Sequence, residues 1–166
     1  MSPAKAKPTP LRLGLISDTH GYFDPALRQH FEGVNHILHA GDIGPLRILH
    51  QLEQIAPVTA VLGNNDFDPS LRDAEIFKTG GLKFLVHHIV DPADPLPELA
   101  KRLERTQPDI VVFGHTHKAY DGVHGNIRFI NPGYAGPMRF RASRSVALLE
   151  IGTAGVHLIS IPLAEA

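Results

Sequence analysis

Four short apolar runs, Leu11–Ser17, Ile37–Ala40, Val58–Leu62 and Ile110–Phe113, each stop abruptly in a polar or glycine-containing cluster. A run with no polar alternation has no face to offer water, so it must lie in a sheet covered on both sides. Two helical stretches, Asp24–Phe31 and Pro45–Gln54, separate the first three runs. Asp24-Pro25 and Gly44-Pro45 start them, with proline near the first helical position, where its missing N–H costs nothing. The order is therefore β-α-β-α-β, and a third helix over Leu96–Arg105 leads into the fourth run.

The remaining chain has a different texture. Ile76–Lys78 with Leu82–His87, Ala119–His124 with Ile127–Ile130, and Val146–Ile151 with Val156–Ile161 are each joined by a short turn containing glycine. These read as β-hairpins. A parallel α/β portion followed by antiparallel hairpins predicts two sheets packed face to face with helices outside, an α/β or α+β fold whose strand order stays open. Residues 1–10 carry lysines and prolines with no apolar stretch behind the charge, which predicts a tail rather than a secretion signal. Residues 11–166 are expected to form one domain, in the cytoplasm, since no apolar run is long enough to span a bilayer.

Composition narrows the chemistry. With 43% hydrophobic and 20% charged residues the chain can bury a core. Sixteen Lys and Arg against 17 Asp and Glu argue against a broad basic face for a nucleic-acid polymer. The absence of cysteine excludes thiol nucleophiles, disulfides and sulfur-ligated metals. Histidine is abundant, at 11 residues, and its placement is informative.

The first three buried runs end in Asp18-Thr19-His20, Gly41-Asp42 and Gly63-Asn64-Asn65-Asp66. A hairpin strand ends in His87-His88, and the fourth buried run in Gly114-His115-Thr116-His117. Ligands of open α/β sheets bind outside the carboxyl ends of the strands. Five strand ends would thus deliver oxygen and imidazole donors, without sulfur, to one region, a set suited to Mn, Fe, Zn or Ni.

Taken with Ile16-Ser17-Asp18-Thr19-His20-Gly21, His39-Ala40-Gly41-Asp42, Val86-His87 and Asn131-Pro132-Gly133, these stretches resemble the calcineurin-like metallophosphoesterases. The resemblance is to the small bacterial and archaeal phosphodiesterase branch, which is itself similar to the retromer subunit Vps29. It implies a four-layer αββα sandwich of two mixed β-sheets with a dinuclear metal site. Position by position, it implies that Asp18, His20 and His117 hold one divalent ion and that Asn64, His87 and His115 hold a second. Asp42 would bridge them, because a carboxylate can offer an anionic oxygen to each ion. His88 remains the one-residue alternative to His87. The ions would be Mn²⁺, with Ni²⁺, Fe²⁺ and Zn²⁺ as alternatives. Asp42, Asn64 and His115 would act through a hydroxide shared by the ions, attacking a small phosphodiester or nucleotide-like substrate in line. Asp66 and Arg139 would support them, Asp66 by orienting a ligand or its loop and Arg139 by reaching a phosphate.

Three departures from the family pattern matter. Asn65 stands where larger phosphatases of the family carry a histidine, and it cannot titrate. His87-His88-Ile89 replaces the common His-Gly-His, and Tyr134 replaces the usual serine after Asn131-Pro132-Gly133. Arg139, Arg141 and Arg144 form a basic cluster that reads first as solvated loop residues, and His39 reads as packing or support for the site. Two other functions fit less of the chain: a Vps29-like interaction scaffold, and a nuclease, which would need a basic track for a polymer. Self-association of the chain is compatible with every reading.

Overall fold

A computed structural model describes residues 3–4, 6–139 and 142–164. Ten strands and three helices follow one another as β1 (Leu11–Ile16), α1 (Leu27–His30), β2 (His36–His39), α2 (Arg47–Glu53), β3 (Val58–Ala60), β4 (Ala74–Thr79), β5 (Leu82–His87), α3 (Pro97–Thr106), β6 (Ile110–Val112), β7 (Tyr120–His124), β8 (Ile127–Asn131), β9 (Ser145–Gly152) and β10 (Gly155–Pro162).

The strands form two mixed five-stranded sheets, β10-β9-β1-β2-β3 and β4-β5-β6-β8-β7. In the first, β1, β2 and β3 run parallel, as the β-α-β-α-β reading requires, and β9 is antiparallel to β1. In the second, β5, β6 and β8 run parallel, flanked by β4 and β7 in antiparallel register. The three expected hairpins are present, but they divide between the sheets. The β9–β10 hairpin completes the first sheet, while β6, the fourth buried run, belongs to the second.

Strand alternation sorts the apolar side chains into three layers of core. Leu13, Leu15, Leu38, Phe84, Val86, Val112 and Leu149 fill the space between the sheets. Ile16, Ile37 and Leu148 lie on the other face of the first sheet against Leu27, Phe31, Ile48 and Leu52 of the α1 and α2 region. Leu85, Val111 and Phe129 lie on the far face of the second sheet against Leu99 and Leu103 of α3. The result is the expected αββα order, and it explains why Leu13–Ile16, Ile37–Leu38 and Ile110–Val112 carry no polar side chain.

The helices are shorter than the sequence suggests at α1. Asp24 Oδ1 accepts the Ala26 N–H at 2.9 Å, so the chain enters through an Asx turn before the helical segment begins. Proline stands at the first turn of α3, and Gln107 ends it in the left-handed conformation, φ 47°.

Candidate metal centre

The carboxyl ends of β1, β2 and β3, and the loops after β5 and β6, meet at one edge of the sandwich. The loop after β1 is laced to the loop after β2: the N–H groups of Asp18, His20 and Gly21 donate to the carbonyls of Gly41, Asp42 and Ile43 at 2.8–3.0 Å. The loop after β6 is tied in from the other sheet, with Gly114 N–H donating to His88 O at 3.0 Å and His115 N–H to Asp18 Oδ2 at 3.1 Å.

This lacing twists the backbone. Among the described residues, six other than glycine have positive φ, and five of them are Asp18, His20, Asp42, His115 and His117. Each such conformation costs about 1–3 kcal/mol and persists only where its surroundings over-determine it. Asp and His tolerate the left-handed region better than bulkier residues. Two glycines let the loops approach so closely. A Cβ on Gly63 would overlap the Asp42 carboxylate, and one on Gly114 would overlap Ser17 Oγ.

Two clusters result, sharing Asp18 and Asp42. In the first, His117 Nε2 lies 3.3 Å from Asp18 Oδ1 and 3.4 Å from His20 Nε2. His20 Nε2 is 3.8 Å from Asp18 Oδ1 and 3.7 Å from Asp42 Oδ2. In the second, His88 Nε2 lies 3.3 Å from Asp42 Oδ2 and 3.1 Å from Asn64 Oδ1, and His115 Nδ1 is 3.1 Å from the same Asn64 oxygen. The structure thus brings Asp18, His20, Asp42, Asn64, His115 and His117 together at this edge.

His87 does not join them. Its Nδ1 lies 3.0 Å from Asp73 O, and its place is taken by His88, which is 3% exposed. The expectation for His87 is corrected by strand parity. Residues 84, 86 and 88 face the opposite sheet with Phe84 and Val86, whereas His87 shares the outward face of Leu85.

The donor chemistry of this edge fits divalent cations. Asp18 Oδ1 is buried with no hydrogen-bond partner, although Asp18 Oδ2 accepts Ser17 Oγ–H at 2.7 Å. His88 Nδ1–H donates to Ala40 O at 2.7 Å, which leaves Nε2 bare and aimed at three carboxylate and amide oxygens. A lone pair among acceptor oxygens is an arrangement that a divalent cation satisfies. An imidazole anchored through its other nitrogen to a backbone carbonyl is also how proteins orient histidine ligands.

The supporting residues are distinctive. Asn65 donates its backbone N–H to Asp42 Oδ1 and its Nδ2–H to Oδ2, both at 2.9 Å. Burial raises the pKa of Asp42, but these two bonds outweigh it and hold the carboxyl below its ordinary value. Asp66 accepts the N–H groups of Ile43, Gly44 and Gly63, which clamps the loops after β2 and β3 together. His39 is fully buried; burial drives its pKa down to about 3, so it is neutral. Thr19 Oγ1–H donates to Ile43 O, so His39 Nε2–H donates to Thr19 Oγ1 at 3.0 Å, and Nδ1 accepts Gly41 N–H at 3.1 Å. Asn131 Nδ2 donates to Gly114 O and Thr116 Oγ1, holding the loop that carries His115 and His117.

Tyr134 does not present its hydroxyl to the site. The O–H donates to Pro137 O, and the ring stacks on His117 with centroids 4.5 Å apart and planes 26° apart. The arginine cluster also separates. Arg144 is no solvated loop residue. It is 4% exposed, pairs with Asp24 at 3.0 Å and donates to the carbonyls of Gly136 and Ala164. Arg139 is exposed, and its charge partly offsets the burial that raises the Tyr134 phenol. Arg141 lies outside the described residues.

A family model described as the calcineurin-like phosphoesterase superfamily domain matches residues 11–154. A probable metallophosphoesterase of Methanocaldococcus jannaschii is 33% identical over 128 residues, covering 73% of this chain and 66% of that protein, just under two thirds of its length. A phosphodiesterase of the same organism is 25% identical over 143 residues, 74% of this chain and 83% of its own length. Among solved structures, Vps29 of Entamoeba histolytica superposes with a TM-score of 0.73 at 22% identity, over 93% of this chain and all of that one. At that identity the likeness speaks to the fold.

Proposed function

The chain belongs to the calcineurin-like phosphoesterase superfamily, and on that premise we propose that it is a dinuclear metal-dependent phosphodiesterase acting on small phosphodiesters. The observation that carries this reading is the convergence of Asp18, His20, Asp42, Asn64, His88, His115 and His117 around Asp18 Oδ1, a buried carboxylate oxygen with no hydrogen-bond partner. A relative named as a phosphodiesterase supports the choice of ester.

Asp18, His20 and His117 would hold one ion, Asn64, His88 and His115 the other, and Asp42 would serve both. When bound, such ions supply the Lewis acidity that makes a water nucleophilic near neutral pH and that neutralises phosphate oxygens. Mn²⁺ is the first choice for this oxygen and imidazole set, with Ni²⁺, Fe²⁺ and Zn²⁺ as alternatives.

The chain's own residues then determine which esters react. Asn65 has no proton to give, and its Nδ2–H groups are turned to Asp42. Proton donation to a leaving group is worth roughly 10²–10⁴-fold, so esters of acidic alcohols such as phenols should react far faster than alkyl esters.

The test is hydrolysis of bis(p-nitrophenyl) phosphate beside p-nitrophenyl phosphate, using chelated protein reloaded with Mn²⁺, Ni²⁺ or Zn²⁺. Metal-dependent turnover that favours the diester is expected. Bound ions without turnover would instead favour an interaction scaffold, the reading that the likeness to Vps29 motivates.

A further inference from the structure

Phe67 is 89% exposed, the most solvent-exposed large apolar side chain among the described residues. Most exposed hydrophobes are unremarkable when scattered singly. Phe67 differs in where it stands and in how firmly its backbone is held. It follows Asn65 and Asp66, and consecutive Cα atoms are about 3.8 Å apart, so its Cα lies within about 8 Å of that of Asn65. Asn65 in turn touches both oxygens of Asp42.

The residue before the ring is anchored to neighbouring loops, and the residue after it closes a local turn. Asp66 accepts three backbone N–H groups from the β2 and β3 loops. Asp68 Oδ1 accepts Ser70 N–H at 2.8 Å and Ser70 Oγ–H at 2.5 Å. The chain thus carries a bare aromatic side chain directly after Asn65 and Asp66, the residues that hold Asp42 and the loops of the metal centre. Ile89, 40% exposed, stands directly after His88 on another of these loops.

We propose that Phe67 is the stacking platform for the organic group of the substrate, and that this group is an aromatic or heteroaromatic ring, as in aryl and nucleoside esters. The proposal rests on the phosphodiesterase reading and specifies its substrate class. The phosphate would lie on the metal centre, and the ring of the ester would cover the exposed face of Phe67. An aryl group bonded through its phenol oxygen also suits a site without a leaving-group acid, whereas a nucleoside, which leaves as a sugar alkoxide, gains from the stacking alone. Stacking of a base on an aromatic side chain corresponds to roughly 5- to 150-fold in affinity, and it tolerates different rings because each offers a π-face.

The test uses phenylphosphonate and methylphosphonate, whose P–C bonds resist hydrolysis, titrated calorimetrically into the full chain loaded with Mn²⁺. Phenylphosphonate should bind at least fivefold tighter to the wild type. F67A should erase that preference while leaving methylphosphonate affinity unchanged, and F67W should restore it. The chain has no tryptophan, so F67W also gives a unique fluorophore, and p-nitrophenylphosphonate should quench it.

Equal affinity of the wild type for the two phosphonates, or equal loss of both in F67A, overturns the proposal and leaves Phe67 as a protein-docking residue. Hydrolysis of bis(p-nitrophenyl) phosphate is measured in parallel. Its absence, with the phenyl preference intact, removes the phosphodiesterase reading and not the platform. Turnover with no phenyl preference does the reverse.

Discussion

Asn65 holds Asp42 by both oxygens, donating its backbone N–H to Oδ1 and its side-chain Nδ2–H to Oδ2, each at 2.9 Å. Asp42 lies between the two clusters, its Oδ2 3.7 Å from His20 Nε2 and 3.3 Å from His88 Nε2. A residue that cannot titrate, in a position where titration would be useful, serves here to aim the Asp42 carboxylate and keep it ionised.

Replacing Asn65 with Ala should therefore act through Asp42. Loss of a partner behind a metal ligand typically weakens metal affinity by about 10–100-fold, and N65A should fall in that range by equilibrium dialysis against Mn²⁺. In the metal-free protein the Asp42 pKa should rise towards its ordinary value. A depressed carboxyl contributes stability above its unfolded pKa and loses it as pH falls through the folded value. Wild type should thus lose more stability than N65A on acidification below about pH 4.

His87 and His88 should behave oppositely. H88A removes a donor whose Nε2 lies among Asp42, Asn64 and Asp18, so it should cost at least the ~10–100-fold in metal affinity that loss of an outer partner costs. H87A should leave metal content at the wild-type level, since that ring is turned to Asp73 O. Equal metal loss in both variants, read by elemental analysis, would contradict the parity assignment.

His39 makes stability depend on pH in one direction. Burial lowers its pKa from 6.5 to about 3. Below pH 6.5 the unfolded chain takes up a proton that the folded chain refuses, so stability falls as pH drops from 6.5 towards 3. The slope for one such group is about 1.4 kcal/mol per pH unit. H39N keeps an acceptor where Nδ1 meets Gly41 N–H but cannot titrate. Urea unfolding between pH 7 and pH 4 should show a slope shallower by one proton than in the wild type.

The Arg144–Asp24 pair joins residues 120 positions apart, and the Arg144 side chain is 1% exposed. Removing Asp24 strands a buried guanidinium, which typically costs 3–5 kcal/mol, so D24A should lower Cm in urea by about 3–5 kcal/mol divided by m. Replacement of both residues by apolar side chains should recover part of that loss.

Gly114 tests the close approach of the two sheets at the centre. A Cβ there would overlap Ser17 Oγ and reach within 2.6 Å of Asp18 Oδ2. Overpacking of this kind costs about 1–3 kcal/mol. G114A should keep its far-UV dichroism, yet bind metal more weakly, because the displaced Asp18 no longer meets His117.

Much of this architecture is legible one strand at a time. Leu11–Ser17, Ile37–Ala40 and Ile110–Phe113 must be covered on both faces because they contain no polar alternation, and two helix-clad sheets cover them. The polar residues that end those runs are local facts of the chain, so Asp18, His20, Asp42, Asn64, His115 and His117 could be named before any contact was known.

What the chain alone could not decide depends on partners distant in sequence. Leu82–His87 has apolar residues on both faces, Leu85 opposite Phe84 and Val86, and periodicity alone leaves open which of the two layers holds the site and so whether His87 or His88 enters it. Only the pairing of β5 with β4 and β6, and the layer on each side, fixes that parity. The same holds for Arg144, whose composition reads as a solvated arginine until the fold brings Asp24 to it. It holds for Asn65 as well, which reads as the absence of an acid until its two N–H groups are seen on Asp42. Local sequence determined which groups stand at the strand ends. Tertiary structure decided which of them meet, because direction and distance across two sheets depend on how distant strands pair and pack.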